Sequence, residues 1–145
     1  MRKFLLTFIV AVSLLSLYFY LSNSSTPKNE KGLNWGHDYH KALEIAKKEN
    51  KLVYLFIGAD KCVHCDRFKK ETLSNKELIE KMKKEYVLLY MSRDQHKIPS
   101  GFKTQGVPMH YFLNPKGEII AHMVGSKELA GWYEVLDEVD LLNGE

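Results

Sequence analysis

The chain is predicted to fold as a single α/β domain in which a central mixed β-sheet is flanked by helices. Two uninterrupted apolar runs of strand length, Leu52–Ile57 and Tyr86–Met91, enclose a segment with helical periodicity. This succession is typical of a parallel strand–helix–strand crossover. Two shorter strand candidates and a last helical segment follow. The predicted order is therefore βαβ and then ββα, preceded by one helix, without an internal repeat.

The preceding helix is predicted from its apolar spacing. Tyr39, Ala42, Leu43 and Ala46 recur at i, i+3, i+4 and i+7, which places them on one helix face. Asp38 comes just before this face, and its carboxylate can cap the helix. A helix is therefore expected before the first strand.

The crossover unit contains the strongest strand signals. Leu52–Ile57 is apolar at every position, as expected of a central strand that is covered on both faces. Residues 62–84 are expected to form two consecutive helices or one broken helix. Ser74–Glu77 has the S-x-x-E form of a capping box, which predicts Ser74 as the cap of the second helical part. Tyr86–Met91 then returns as a strand parallel to the first.

The C-terminal part is predicted to be a hairpin followed by a helix. Met109–Leu113 and Glu118–Met123 flank Asn114–Gly117, whose Asn-Pro-Lys-Gly sequence is typical of a four-residue turn. The closing helix has one apolar face, which consists of Leu129, Trp132, Tyr133, Leu136 and Val139.

The chain opens with a targeting signal. Phe4–Leu21 is a run of eighteen residues without a charge, and it follows Arg2 and Lys3. An uncleaved membrane anchor is favoured over a cleaved signal peptide, because the run is long, ends in aromatic residues and precedes no A-x-A site. Under the positive-inside rule the basic residues stay in the cytoplasm, so the rest of the chain is expected on the other side.

The sequence therefore divides into three parts. Residues 1–22 form the signal segment or membrane anchor, residues 23–32 a polar linker with Pro and Gly, and residues 33–145 the folded domain. The composition, with 45% hydrophobic and 27% charged residues, suits a packed core. The formal net charge is +3, and Arg2 and Lys3 contribute two of these charges. Nucleic acid is therefore not expected as a partner.

The candidate catalytic residues are Cys62 and Cys65, which are the two cysteines of the chain. They follow a predicted buried strand and open a predicted helix, where residues i and i+3 are close enough for a disulfide. At the helix N-terminus, unpaired N–H groups and the helix dipole favour a thiolate at Cys62. Cys62 is therefore predicted as the nucleophile, and Cys65, one turn inside, as the better shielded residue that resolves a mixed disulfide.

Two neighbouring residues are predicted to tune this pair. His64 lies between the cysteines, and Lys61 directly precedes them. A positive charge or a hydrogen-bond donor beside Cys62 stabilises its thiolate and raises the reduction potential. The carboxylates of Asp60 and Asp66 oppose that effect.

Other roles for the cysteines are less well supported by the sequence. A structural disulfide across two residues would constrain the unfolded chain little, and a structural zinc site would need a second pair of ligands. Soft ligands for Cu(I) are present at Met91, Met109 and Met123, with His110 and His122 beside two of them. The methionines lie in predicted strands, where they more often fill the core. A metal-binding chaperone is therefore the alternative from a different class.

The chain resembles a thioredoxin-fold domain over residues 33–142. The resemblance is carried by the strand Leu52–Ile57, the Cys62-Val63-His64-Cys65 turn, the Gly106-Val107-Pro108 step and the hairpin turn that follows. Within the thioredoxin superfamily it is similar to periplasmic thiol:disulfide reductases of the type of the DsbD C-terminal domain.

The resemblance implies further site residues. An ordinary X–Pro bond is trans, but the resemblance implies a cis Pro108 packed against the cysteines, with the Val107 backbone pairing to the substrate. Many thioredoxins carry a buried acid six positions before the first cysteine and a tryptophan just before it. Here those places hold Phe56 and Lys61, so that carboxylate is not present to assist proton transfer at Cys65.

Together these observations predict an extracytoplasmic thiol–disulfide oxidoreductase, anchored to a membrane by its N-terminal segment. It is expected to reduce or exchange disulfides of other extracytoplasmic proteins, to use no small-molecule cofactor and to depend on a membrane or soluble redox partner. A disulfide oxidase or isomerase is the alternative within the same class, because the direction of electron flow is not decided by the sequence.

Overall fold

The computed structural model describes residues 32–144, which form four helices and four strands. In chain order these are α1 (Tyr39–Glu49), β1 (Leu52–Gly58), α2 (Val63–Glu71), α3 (Lys76–Glu85), β2 (Tyr86–Ser92), β3 (Met109–Leu113), β4 (Ile119–Val124) and α4 (Leu129–Asn143). The predicted order of elements is confirmed.

The four strands form one mixed sheet in the order β2–β1–β3–β4. The β1 strand is parallel to β2 and antiparallel to β3, and β3 is antiparallel to β4. The register aligns Phe56 of β1 with Tyr90 of β2 and with His110 of β3. The predicted crossover and hairpin thus share a sheet, with β1 in its interior.

Helices cover both faces of this sheet. On one face, Ala42 and Ala46 of α1 pack against Val53, Leu55 and Ile57 of β1. On the other face, α2, α3 and α4 pack against a cluster of larger side chains that contains Tyr54, Phe56, Phe112 and Trp132. Because alternate residues of a strand point to opposite faces, both faces need apolar side chains. This explains the continuous apolar run that predicted β1.

Several predicted boundaries are wrong by one residue, and two of them have a local cause. Asn75, rather than Ser74, caps α3, because its side chain accepts a hydrogen bond from Leu78 N at 2.9 Å. The Ser74 hydroxyl instead donates to the Lys70 carbonyl near the end of α2, where helical carbonyls lack helical partners. The last strand begins at Ile119 rather than at Glu118, whose backbone bonds with Asn114 to close the hairpin turn.

The predicted anchor, residues 1–22, lies outside the described residues, as does most of the predicted linker. Within residues 32–144, no helix has the length and apolar character needed to cross a membrane. The division of the chain into anchor, linker and domain therefore stays a prediction.

Candidate active site

The two cysteines are joined by a disulfide at the start of α2. Cys62 is the N-cap residue of this helix, and Cys65 lies in its first turn. The sulfurs are bonded, the Cα atoms are 5.2 Å apart, and Cys62 Sγ accepts a hydrogen bond from Cys65 N at 3.1 Å. A sulfur that accepts a backbone hydrogen bond at a helix N-terminus is well placed to carry negative charge once the disulfide is reduced.

Both cysteines are largely buried. Cys65 is 2% exposed and is the better shielded of the two, as the sequence predicted, but Cys62 is only 7% exposed. The helix N-terminus itself is open, since Val63 is 71% exposed. Cys62 is covered because it belongs to the same packed cluster as Cys65 and Phe68.

Both predicted tuning residues lie at the surface beside the disulfide. Lys61 and His64 are exposed, and neither side chain makes a hydrogen bond, ion pair or ring contact with other described residues. The backbone carbonyl of His64 accepts a hydrogen bond from Ser126 Oγ at 3.0 Å. This bond ties the turn before α4 to the cysteine turn. The tuning roles of the two side chains stay predictions.

The Val107–Pro108 peptide bond is cis, as the resemblance implied. Val107 is half-buried, Pro108 is buried, and the Pro108 carbonyl accepts a hydrogen bond from Gly125 N at 2.8 Å. The predicted pairing of Val107 with a substrate backbone stays a prediction.

His110 is a buried, neutral histidine beneath this loop, and not a free metal ligand. Its Nε2–H donates to the Gly125 carbonyl at 3.0 Å, and its Nδ1 accepts from the Tyr54 hydroxyl at 2.8 Å. Burial lowers the pKa of His110 to about 4, although the bond to Gly125 acts in the opposite direction. His110 therefore positions Gly125, which in turn holds Pro108.

A polar network that the sequence analysis did not anticipate leads into Cys62. The Asp60 carboxylate accepts hydrogen bonds from Ser92 Oγ and Gln95 Nε2, both at 2.8 Å. The Asp60 backbone N–H donates to the Asp94 carboxylate at 2.8 Å. The bonds from Gln95 and Ser92 hold the pKa of Asp60 below its ordinary value. An ionised carboxylate is thus fixed two residues before Cys62.

One signal in the sequence could have indicated this network. Adjacent parallel strands end at the same edge of a sheet, so the loops after β1 and β2 meet there. Asp60 follows β1, and Ser92, Asp94 and Gln95 lie at or just after the end of β2.

The Cys65 side of the disulfide lies in the aromatic part of the core. The Phe68 ring is 4.8 Å from the rings of His110 and Trp132 and 6.0 Å from that of Phe56, centroid to centroid. Phe56 is fully buried at the place where many thioredoxins carry an acid. Aromatic packing occupies that place in this chain.

The three methionines that suggested copper do not lie together on one face of the sheet. Met91 and Met109 are buried in the core on the α1 side of the sheet, and Met123 is partly buried against the opposite core. Within residues 32–144 no group of three or more histidine, cysteine, aspartate or glutamate side chains could hold a metal ion.

Fold and site together define a thioredoxin-like domain with a cysteine pair that forms a disulfide, a combination that supports thiol–disulfide oxidoreductase activity. A family model described as thioredoxin-like matches residues 34–115. The chain belongs to this family.

The human Anterior gradient protein 2 homolog is 34% identical to the chain over 96 residues, which are 64% of this chain and 53% of that protein. The chain thus spans about half the length of the curated relatives it matches.

Two solved structures are similar in fold. A thioredoxin from Thermus thermophilus has a TM-score of 0.63 and 23% identity, and the match covers 74% of this chain and 87% of that one. The oxidised DsbD C-terminal domain of Neisseria meningitidis has a TM-score of 0.56 and 16% identity, with coverages of 72% and 97%. The expected likeness to the DsbD domain is therefore confirmed for the fold.

Proposed function

We propose that the protein is an extracytoplasmic, membrane-anchored thiol–disulfide oxidoreductase that reduces or exchanges disulfides of other extracytoplasmic proteins. The observation that carries this proposal is the position of the Cys62–Cys65 disulfide at the N-terminus of α2. Val107, which precedes the cis Pro108, packs against the cluster that contains both cysteines. The cysteines alone carry the electrons, so no small-molecule cofactor is needed.

The reaction runs through a mixed disulfide. In the reduced protein, the Cys62 thiolate attacks one sulfur of the target disulfide, and the other target sulfur leaves as a thiolate that takes up a proton. Cys65 then loses its proton and attacks Cys62 Sγ. The Cys62–Cys65 bond forms, the bond between Cys62 and the target breaks, and the second target thiolate leaves. A redox partner returns two electrons and two protons to start the next cycle.

The proposed location rests on the N-terminal sequence. The uncharged run Phe4–Leu21 after Arg2 and Lys3 favours an anchor with the domain on the extracytoplasmic side. Disulfide substrates persist in such oxidising compartments. Membrane fractionation of the tagged full chain, followed by protease treatment of intact cells and spheroplasts, tests this. A soluble protein, or a domain that is protected in spheroplasts and cut only after lysis, would contradict it.

The activity is tested with insulin as the disulfide substrate and with two variants. The parent protein should reduce insulin when a thiol reductant regenerates it, and both Cys62→Ser and Cys65→Ser should lose that activity. Cys65→Ser should accumulate mixed disulfides with substrate, whereas Cys62→Ser should accumulate none, because only Cys62 initiates attack. Equal trapping by both variants would contradict the assigned roles.

The direction of electron flow is tested by the reduction potential. The alternative is a disulfide oxidase or isomerase. His64 between the cysteines favours this alternative, because a hydrogen-bond donor at this place stabilises the reduced cysteine pair. A potential near the value of about −270 mV for thioredoxin would support the reductase, and one near the value of about −120 mV for DsbA would support the oxidase. A titration against glutathione buffers measures it.

A further inference from the structure

Lys69 is half-buried, and its ammonium group lies over two aromatic rings of the sheet. It lies four residues after Cys65 on α2, and residues at this spacing have Cβ atoms about 5–6 Å apart on one helix face. Its ammonium nitrogen is 4.5 Å from the ring centroid of Tyr90 and 5.6 Å from that of Phe56. Lysine ammonium groups normally extend to solvent, so this cation is held by aromatic faces instead.

The rings of Phe56 and Tyr90 contact the Lys69 ammonium near the C-terminal ends of β1 and β2, and the cysteine turn follows β1. Phe56 and Tyr90 are paired across β1 and β2, with ring centroids 5.5 Å apart. A Cβ atom on Gly58 would lie 2.9 Å from the Tyr90 hydroxyl, so that hydroxyl rests on the last residue of β1. Phe56 also packs in the cluster that contains Cys65.

No carboxylate is in ion-pair contact with this cation. Within residues 32–144, Lys69 makes no ion pair and no side-chain hydrogen bond. The pKa of the neighbouring Tyr90 hydroxyl is raised first by burial and then by the carboxylates of Asp60, Asp66 and Asp94. The Lys69 charge is therefore not neutralised by direct pairing with a described carboxylate.

A positive charge near Cys65 would help its thiolate to form, because Cys65 is buried. It is 2% exposed, and burial disfavours the thiolate that the resolving step requires. Phe56 occupies the place at which a carboxylate could have accepted the Cys65 proton. A nearby cation instead lowers the cost of the thiolate, so the proton can leave to water.

We propose that Lys69 is a positioning residue for the resolving step, because its ring-held ammonium stabilises the Cys65 thiolate. This inference rests on the proposed function. Once formed, the thiolate attacks Cys62 Sγ of the mixed disulfide, the Cys62–Cys65 bond forms, and the partner sulfur leaves as a thiolate that takes up a proton.

The test measures the thiolate of Cys65 directly. In a Cys62→Ser background Cys65 is the sole cysteine, and thiolate ultraviolet absorbance is followed against pH. Lys69→Met keeps the methylene packing but removes the charge, so it should leave about tenfold less thiolate at neutral pH. Lys69→Arg should restore the parent titration, because a guanidinium also stacks on aromatic rings.

Lys70→Met is the matched control, since Lys70 carries the same charge on the same helix but is exposed. It should leave the titration unchanged. If Lys69→Met and Lys70→Met titrate alike, the proposal is overturned.

A second measurement follows the step itself. With both cysteines present, a mixed disulfide between Cys62 and a small aromatic thiol is preformed, and release of that thiol is timed. Lys69→Met should slow release about tenfold at neutral pH, and the rate should recover at alkaline pH, where Cys65 ionises without help. A slowing that persists at every pH would reveal only a structural role and overturn the proposal. A protein that passes both tests but leaves insulin intact would contradict the proposed function alone.

Discussion

The two sides of the disulfide differ in chemistry although they lie within one helical turn. The chain leading to Cys62 is bound by a polar network in which Asp60 contacts Ser92, Gln95 and Asp94. Cys65 shares one packed cluster with Cys62 and Phe68, but it is the more deeply buried of the two cysteines. On the Cys62 side charged groups remain in water, whereas on the Cys65 side a charge must form inside the core.

This difference matches the different tasks of the two cysteines in the proposed reaction. The Cys62 side must admit a partner and adjust the energy of the first thiolate, which exposed groups such as His64 and Lys61 can do weakly. The Cys65 side must keep the core packed and still permit a thiolate during the resolving step. Substitutions on the Cys65 side should therefore change stability, whereas those on the Cys62 side should change the reduction potential.

The largest effect is expected from Phe68→Ala. Phe68 is fully buried against Trp132 and His110, and removing a buried phenylalanine costs about 3–5 kcal/mol of unfolding free energy. Urea denaturation of the oxidised protein measures the loss. Val63→Ala, on the same helix and 71% exposed, should cost less than about 0.5 kcal/mol. Similar losses for both would contradict the assignment of Phe68, and not of Val63, to the core.

A pH-dependent loss of stability is expected from His110. The unfolded histidine takes up a proton near pH 6.5, but the folded one does so only near pH 4. The unfolded state therefore binds more protons between these values, and the unfolding free energy falls as the pH falls through this window. The loss attributable to His110 should reach about 3 kcal/mol.

Denaturation midpoints of the parent and of His110→Gln, measured across that window, give this contribution by difference. His122→Gln, at an exposed histidine on β4, is the control and should keep the parental slope. If His110→Gln also keeps that slope, another group is responsible for it.

A smaller effect is expected on the Cys62 side from His64→Gly. Loss of a donor or cation beside Cys62 should disfavour its thiolate and lower the reduction potential by a few tens of millivolts, since 30 mV corresponds to about 1.4 kcal/mol. Glutathione titration measures this change. Val63→Gly introduces the same backbone freedom and should leave the potential nearly unchanged. An unchanged potential in His64→Gly would mean that the ring does not act on the sulfur.

The smallest effect is expected from Asp60→Asn, with the opposite sign. The amide can still accept the bonds from Ser92 and Gln95, but the negative charge near Cys62 is lost, so the reduced pair is favoured. The equilibrium constant with glutathione should shift about twofold to threefold toward the dithiol. Ser92→Ala removes the bonds that its hydroxyl makes with the Asp60 carboxylate and with Asp94 N, but it keeps the charge, so it should not shift the constant. A shift toward the disulfide in Asp60→Asn would contradict this electrostatic account.

Much of the fold and the cysteine pair could be predicted because the signals are local. The apolar run Leu52–Ile57 showed a strand buried on both faces, and the i, i+3 spacing showed that Cys62 and Cys65 can bond across a helical turn. The cis Pro108 could be expected from the resemblance alone, since no local rule distinguishes it from a trans proline.

The sequence by itself therefore determined the order of strands and helices and the position of the cysteine turn between β1 and α2. Only the tertiary structure decided that Asn75 rather than Ser74 caps α3, that Cys62 is covered, and that the Lys69 ammonium lies over the ring of Tyr90. Each of these features depends on a contact with a group from another helix or strand. Ser74 bonds to the end of α2, and Tyr90 comes from a strand that pairs with β1 only after the chain has folded.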